Sequence, residues 1–327
     1  MGLKAYLLKR TLYSFALLFF VLILNFAIFE VMPGDPMALF ANQARLGGIE
    51  VMEEMIQLWG FDQPMHVRLV IYIKNMLTFE FGRSYLTQTP IVDSVAARLT
   101  NTLLLVGLST TLAIIIGVLL GVLAAHKRGT IWDSILVVAS LTTYSLPSFW
   151  MGMVFLLVFS FGLGWFPTGH TTSFSVINPP PNIFVDIADR MWHMFLPVLV
   201  LTLFLYGSFL LLTRATMMET LTEDYITTAR AKGLKERAIL FKHALKNASL
   251  PVITNAAIAI GFILSGAIIT EQVFNIPGLG QWTWAAIPYK DYPVLHCIFF
   301  LTALCVIVAN FIADVLYGVV DPRIKYG

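Results

Sequence analysis

The sequence predicts an all-α polytopic membrane protein with six transmembrane helices, and three observations support that prediction. Hydrophobic residues make up 58% of the 327 residues and charged residues only 12%, whereas soluble domains contain about 25% charged residues. Six apolar stretches reach the length of about 20 residues that a helix needs to cross a bilayer. Lys and Arg are concentrated on alternate connections between these stretches, which is typical of a fixed orientation in the membrane.

The third of the six predicted spans is long for a single crossing. Pro147 either kinks it or separates an interfacial segment from the true crossing. The second span carries Gly117 and Gly121, a pair of small residues that allows close helix approach but is also common by chance. The predicted spans are residues 11–32, 102–125, about 133–165, 192–213, 252–271 and 294–319.

The basic residues orient the chain. With the N-terminus inside, 14 of the 21 Lys and Arg residues fall on inner segments and seven on outer ones. Both termini are therefore predicted to be cytoplasmic, in a multi-pass protein of the cell (inner) membrane. The predicted regions are a tail with the first span (1–32), an external segment (33–101), a five-helix core (102–319) that includes a cytoplasmic loop (222–251), and a second tail (320–327).

The external segment 33–101 is too long for a simple connection. Its turn-forming motifs, Pro33-Gly-Asp-Pro36, Trp59-Gly-Phe-Asp-Gln-Pro64 and Phe79-Glu-Phe-Gly-Arg-Ser84, predict turns between short amphipathic helices. The next outer loop contains Pro179–Pro181, which stiffens an extended chain. Together these features predict a large outer surface.

The cytoplasmic loop is predicted to form two short helices. Thr222 would N-cap the first, and Gly233 would end it in a left-handed conformation. The second would begin near Lys235 and end at Pro251, which removes an interior hydrogen bond. Its apolar stripe is too small to form a core and therefore predicts contact with a partner; it consists of Leu234, Ala238, Phe241 and Leu245.

This loop also carries a resemblance. Ala229-Arg-Ala-Lys-Gly233, followed by His243-Ala-Leu-Lys-Asn247 and Leu250-Pro251, resembles the cytoplasmic EAA loop of ABC-importer permeases. The likeness is greatest to the oligopeptide/dipeptide branch, because Thr227-Thr228-Ala229 replaces Glu-Ala-Ala and the interval from Gly233 to Leu250 is longer than the general pattern. Further similar motifs are Glu271-x-Val-Phe-x-x-Pro-Gly-Leu-Gly280, Asp291-Tyr-Pro293 and Asp321-Pro-Arg323.

The resemblance implies a type I ABC importer permease fold with cytoplasmic coupling helices. It implies a homologous second permease subunit, two ATPase subunits, an external solute-binding protein and membrane lipid as partners, and no nucleic acid. The chain itself would bind no cofactor, since ATP and Mg would be held by the ATPase subunits. The cargo would be di- or oligopeptides, with oligosaccharides or nickel as the alternative. The implied ATPase-docking residues are Thr227, Thr228, Ala229, Arg230, Lys232, Gly233, Leu234, Lys235, Arg237, Ala238 and Phe241.

Polar residues inside the spans are candidates for the translocation path, because polar groups in a membrane usually face the bundle interior. The proposed set is Thr143, Thr254, Asn255 and Ser265. For each hydroxyl, a bond to its own helix is the competing interpretation. For Asp314, a structural cap or an ion pair near Arg323 is the leading interpretation.

Sequence motifs for catalysis are missing. The chain has no Gly-x-x-x-x-Gly-Lys-Ser/Thr phosphate loop and no Gly-x-Ser-x-Gly elbow, and its six His residues lack metal-ligand spacing. Neither a catalytic nor a metal-binding residue is therefore expected, and Cys297 and Cys305 are interpreted as buried, unreactive thiols. A secondary transporter is the alternative function class, but no internal repeat supports it, and an intramembrane hydrolase would need a partner for Asp314.

Overall fold

The computed structural model describes residues 3–31, 49–175 and 177–320, and these residues form a bundle of helices. In chain order the helices are α1 (Leu3–Val31), α2 (Ile49–Trp59), α3 (Met65–Thr78), α4 (Ile91–His126), α5 (Ile131–Ser145), α6 (Ser148–Gly162), α7 (Ile183–Thr220), α8 (Asp224–Ala231), α9 (residues 236–261), α10 (Ile268–Val273), α11 (Leu279–Ala286) and α12 (Tyr292–Val320). Three helices contain π-helical segments, at Leu103–Gly107 in α4, Leu156–Gly162 in α6 and Ile239–Ala244 in α9.

Four helices of the described residues are long and apolar enough to cross a membrane: α1, α4, α7 and α12. They coincide with the first, second, fourth and sixth predicted spans, and α4 and α7 continue well beyond the predicted ends. The third predicted span is a bent pair, because α5 and α6 meet at an angle of 96°. Leu146 is extended there (φ −77°, ψ 134°), as expected for the residue before a proline. Pro147 therefore breaks this span.

The fifth predicted span, residues 252–271, is not one helix. Helix α9 continues through Pro251, because Ala248 and Val252 on either side of the proline are buried against neighbouring helices. It ends at Gly261, is followed by a 3-10 turn at Phe262–Ser265, and the chain then reverses at Gly266, where φ is 72°. Two predictions were thus wrong: the end of the helix at Pro251 and the continuous fifth span. The total of six spans stays a prediction.

Helices α4 and α7 form the most extensive helix–helix contact among the described residues. Gly117 and Gly121 lie at this contact: a Cβ atom at Gly117 would be 2.6 Å from the Cβ of Phe209, and one at Gly121 would be 2.6 Å from the Cβ of Thr213. These distances are too short for any side chain other than glycine's hydrogen. The small-residue pair therefore allows the backbones of α4 and α7 to approach closely.

A layer of α2, α3 and the turns that join them to α4, called here the outer layer, packs on the C-terminal end of α1 and the N-terminal end of α12. Gly60 and Gly82 adopt positive φ (64° and 73°) in two of the three predicted turns. Asp291 fixes the second turn by accepting hydrogen bonds from the backbone N–H groups of Tyr85 (2.9 Å) and Leu86 (3.1 Å). Burial raises the pKa of Asp291, and these bonds oppose that rise. The motifs Pro33–Pro36 and Asp321–Arg323 lie outside the described residues.

Asp314 forms an ion pair with Arg10 of α1, with 3.0 Å between Nη1 and Oδ2. The ion-pair interpretation of Asp314 is thereby confirmed, but with a partner at the opposite end of the sequence. Arg323 lies outside the described residues. The pair connects the N-terminal part of α1 with the C-terminal part of α12.

Candidate functional site

Residues 224–241, called here the knob, consist of a short helix, a turn at Gly233 and the first turns of α9. Its first helix, α8, begins after Glu223, with Asp224 in the first turn where a negative charge is favourable. Thr222 does not cap it: the Thr222 hydroxyl donates instead to the carbonyl of Glu219 at the end of α7, at 2.7 Å. The predicted N-cap was therefore wrong by one residue, because the threonine completes the preceding helix.

Gly233 closes the first helix of the knob in the predicted way. Its φ is 72°, its N–H donates to the carbonyl of Arg230 at 2.9 Å, and the N–H of Leu234 donates to that of Ala229 at 3.4 Å. This pair of bonds is a Schellman motif, which requires the left-handed residue that glycine supplies without strain. Lys235 is then extended and starts α9.

One face of the knob is fixed to the rest of the protein. Ile226, Ala229, Ile239 and Leu240 are all at least 94% buried. They form one apolar cluster with Met217 of α7 and with Val122 and Ala125 of α4, and α9 adds Ala244 and Ala248. The knob is therefore packed directly against α4 and α7.

The opposite face of the knob is exposed. Leu234 and Phe241 are 42% and 43% exposed. Around them lie Thr227, Thr228, Arg230, Lys232, Lys235 and Arg237, all exposed. Arg230 pairs with Glu236 at 3.0 Å, and this bond links the two helices of the knob.

Two of the predicted docking residues, Ala229 and Ala238, are not fully exposed on this face of the knob. The side chain of Ala229 is only 6% exposed and faces the inner cluster, so it holds the knob in place and does not lie on the exposed face. Ala238 is half-buried. Of the predicted apolar stripe only Leu234 and Phe241 are exposed, while Leu245 is half-buried against the inner cluster. Sequence periodicity missed the inner stripe, which is formed by Ile239, Leu240, Ala244 and Ala248.

A cavity of about 500 Å³ lies in the apolar part of the bundle, between α4, α7, α9 and the broken segment that leads into α10. Its walls include Thr110, Ser148, Phe204 and the backbone turn at Gly266. Irregular backbone at membrane depth is found where it lines a cavity, and discontinuous helices often form the sites of transporters. The break at Gly266 was missed from the sequence, although Ser265-Gly266 within an apolar run was a signal for it.

Among the predicted path residues whose side chains the structure describes, none is part of this cavity wall. Thr143 and Thr254 are half-buried, and each hydroxyl donates to a carbonyl of its own helix at 3.2 Å, that of Ala139 and that of Leu250. Asn255 is half-buried and is not part of the cavity wall. The side chain of Ser265 lies outside the described residues, although its backbone belongs to the turn before Gly266.

A buried carboxylate connects the broken segment to α4 and α11. Glu271 is completely buried, and its oxygens accept hydrogen bonds from the Thr102 hydroxyl (3.0 Å) and from the backbone N–H groups of Gln281 (2.8 Å) and Ala267 (3.4 Å). A Cβ atom at Gly278 would overlap this carboxylate. The Pro-Gly-Leu-Gly motif therefore leaves room for the carboxyl group of Glu271.

The sequence is similar to a known protein family and to several known proteins. Residues 117–326 match the family described as binding-protein-dependent transport system inner membrane component. The chain is 39% identical to the oligopeptide transport system permease protein AppB of Bacillus subtilis (strain 168), covering 98% of this chain and 99% of AppB. It is 34% identical to the di/tripeptide transport system permease protein DppB of Pseudomonas aeruginosa (strain UCBPP-PA14), covering 94% and 95%.

A third relative is the glutathione transport system permease protein GsiC of Escherichia coli (strain K12), 36% identical over 98% of this chain and 99% of GsiC. All three relatives match along nearly their whole length, so the likeness includes the outer layer and the knob as well as the helices. The chain therefore belongs to the family of binding-protein-dependent transport system inner membrane components, the permease subunits of ABC importers.

Proposed function

We propose that this chain forms one half of the path of an importer for di- or oligopeptides. The observation that carries the proposal is the knob, with one face fixed against α4 and α7 and the other exposing Leu234 and Phe241 among basic residues. Such a surface fits an ATPase subunit with an apolar groove and acidic surroundings. Two such subunits would bind and hydrolyse ATP with Mg, because no phosphate loop is present in this chain.

The cargo is proposed from the relatives. Their names concern oligopeptides, di- and tripeptides and glutathione, all of which are peptides. Oligosaccharides and nickel find no support among these names. A secondary transporter would leave the family membership and the exposed knob without explanation. The external binding protein would select the cargo and deliver it to the outer layer formed by α2, α3 and the adjoining turns.

A homologous second permease subunit would complete the path. The cavity at Gly266 has walls from α4, α7 and α9, while many large apolar side chains elsewhere on the bundle are exposed, among them Val138 (61%) and Leu157 (62%). In a membrane protein these side chains contact either lipid or another subunit. A paired subunit across the cavity would enclose the peptide between two similar halves.

The orientation can be tested by labelling with a thiol reagent that does not cross the membrane. Cys would replace one exposed residue at a time, Lys235 on the knob and Lys74 and Asn178 on the outer side, in a background lacking Cys297 and Cys305. We expect labelling at 74 and 178 on intact cells, and at 235 only after the membrane is opened. Labelling at 235 but not at 74 on intact cells would place the knob outside and contradict the proposed function.

A further inference from the structure

A groove of about 220 Å³ lies between α1 and α12, two of the helices that are long and apolar enough to cross a membrane. Its walls include Ser14, Phe15 and Leu18 of α1 and Leu304, Val308 and Phe311 of α12. From residue 11 to residue 18 the groove extends about 10 Å along α1, because a helix rises about 1.5 Å per residue. The groove is thus shorter than one leaflet of a bilayer whose hydrocarbon core is about 30 Å thick.

The two helices are joined at both ends of this groove. At one end Leu18 of α1 and Ile307 of α12 belong to the same buried cluster. At the other end Arg10 and Asp314 form the ion pair described above, with 3.0 Å between Nη1 and Oδ2. Between these ends the wall stays open on one side, where Val308 is 46% exposed. An occupant therefore enters the groove sideways, from the lipid.

The end of the groove near Arg10 carries positive charge. The first 29 residues of the chain contain no Asp or Glu. The charge of Arg10 is balanced by Asp314, but no carboxylate of the described residues pairs with Lys9, which is exposed. The Nζ atom of Lys9 lies 5.7 Å from the centre of the Tyr13 ring, and Tyr13 is 59% exposed. Exposed Tyr and Lys side chains at the end of a membrane helix are typical of the interface where lipid headgroups lie.

The shape and the charge of the groove together select a lipid as its occupant. A helix of another subunit is about 10–12 Å wide with its side chains, which is too wide for a gap between two helices that are joined at both of its ends. An anionic phospholipid supplies both of the required parts in one molecule, an acyl chain for the apolar walls and a negative charge at the depth of Lys9. A Lys or Arg residue beside a membrane helix strengthens the binding of anionic lipid by about fivefold.

We propose that this groove is a binding site for one anionic phospholipid. One acyl chain packs between Phe15 and Val308, and the phosphate group accepts a hydrogen bond from Lys9. The lipid belongs to the leaflet at the N-terminal end of α1. Because the groove shares no wall residue with the cavity at Gly266, the lipid is a resident ligand of α1 and α12 and is distinct from the cargo.

The test uses the full-length chain in nanodiscs of equal parts phosphatidylglycerol and phosphatidylcholine, and native mass spectrometry identifies the lipid that stays bound after release. We expect one retained phosphatidylglycerol per chain. Val308→Trp fills the groove and should abolish retention, whereas Val138→Trp, the same change at a position of α5 that is 61% exposed, should not. Lys9→Gln should lower the preference for phosphatidylglycerol by about fivefold. Lys74→Gln, which removes an exposed Lys of α3, should leave that preference unchanged.

If Val308→Trp does not fold, Ser14→Phe fills the groove from the side of α1 and should abolish retention in the same way. A photoreactive amino acid in place of Phe15, introduced in the assembled complex, should crosslink to phospholipid. The proposal is overturned if no phospholipid is retained, if the two Trp variants retain it equally, if Lys9→Gln leaves the preference unchanged, or if position 15 crosslinks to another subunit.

Discussion

Replacing Gly233 by Val is expected to abolish most transport while leaving the membrane helices folded. At φ 72° a β-branched residue is strongly disfavoured, and such strain costs about 1–3 kcal/mol, equivalent to about 5- to 150-fold in the population of the correct conformation. No described atom of this chain lies within 4 Å of a Cβ placed at this position, so strain in the backbone is the expected defect within the chain. Uptake and substrate-stimulated ATP hydrolysis, measured in proteoliposomes with the assembled complex, should fall together.

Gly129 offers a matched control for this variant. It also has positive φ (75°), lies in the turn between α4 and α5, and has no atom within 4 Å of its Cβ position. Gly129→Val should therefore introduce the same strain outside the knob and reduce transport much less. Gly233→Asn should retain most activity, because Asn tolerates the left-handed conformation. Equal transport in Gly233→Val and the native protein would show that the knob does not couple ATP hydrolysis to the helices.

Replacing Glu271 by Ala is expected to destabilise the outer half of the protein and to disturb the cavity at Gly266. The substitution leaves the buried Thr102 hydroxyl and the Gln281 N–H without their acceptor, and each unsatisfied buried group costs about 1–3 kcal/mol. The midpoint of thermal inactivation should fall by several degrees. Because Ala267 N–H also loses its acceptor, the segment that lines the cavity is expected to loosen.

A second readout separates this local effect from a general loss of stability. Ile269 lines the cavity and is 50% exposed, so a Cys placed there should react faster with a thiol reagent in Glu271→Ala than in the native background. Glu80→Ala serves as a control, because Glu80 is exposed on the outer turn. An Ile269→Cys reaction rate that Glu271→Ala leaves unchanged would contradict the connecting role assigned to the carboxylate.

The sequence predicted those parts of the fold that depend on local composition. Long apolar runs identified α1, α4, α7 and α12, because a run of about 20 apolar residues is sufficient by itself to predict a membrane helix. Gly233 was identified because a helix that is followed by glycine commonly ends there, with the glycine in the left-handed conformation. Pro251 misled the prediction, since the burial of Ala248 and Val252 outweighs the loss of one hydrogen bond.

The remaining features depend on contacts between distant segments. The knob has two apolar stripes, and the sequence does not show which of them packs against the rest of the protein. Val122 and Met217 lie on the side of Ile239, so Ile239 is buried and Phe241 is exposed. The break at Gly266 likewise requires Glu271 to be held by Thr102, 169 residues away in sequence. The motif around Glu271 was visible in the sequence, but its partner was not.

The central claim is that the outer face of the knob contacts an ATPase subunit, and site-specific photo-crosslinking tests it most directly. A photoreactive amino acid would replace Leu234 or Phe241 in the assembled complex, with exposed Tyr289 on the outer side as the control position. The account predicts a crosslink to an ATPase subunit from positions 234 and 241 and none from 289. An intact complex that yields no crosslink to the ATPase from either position of the knob would contradict it.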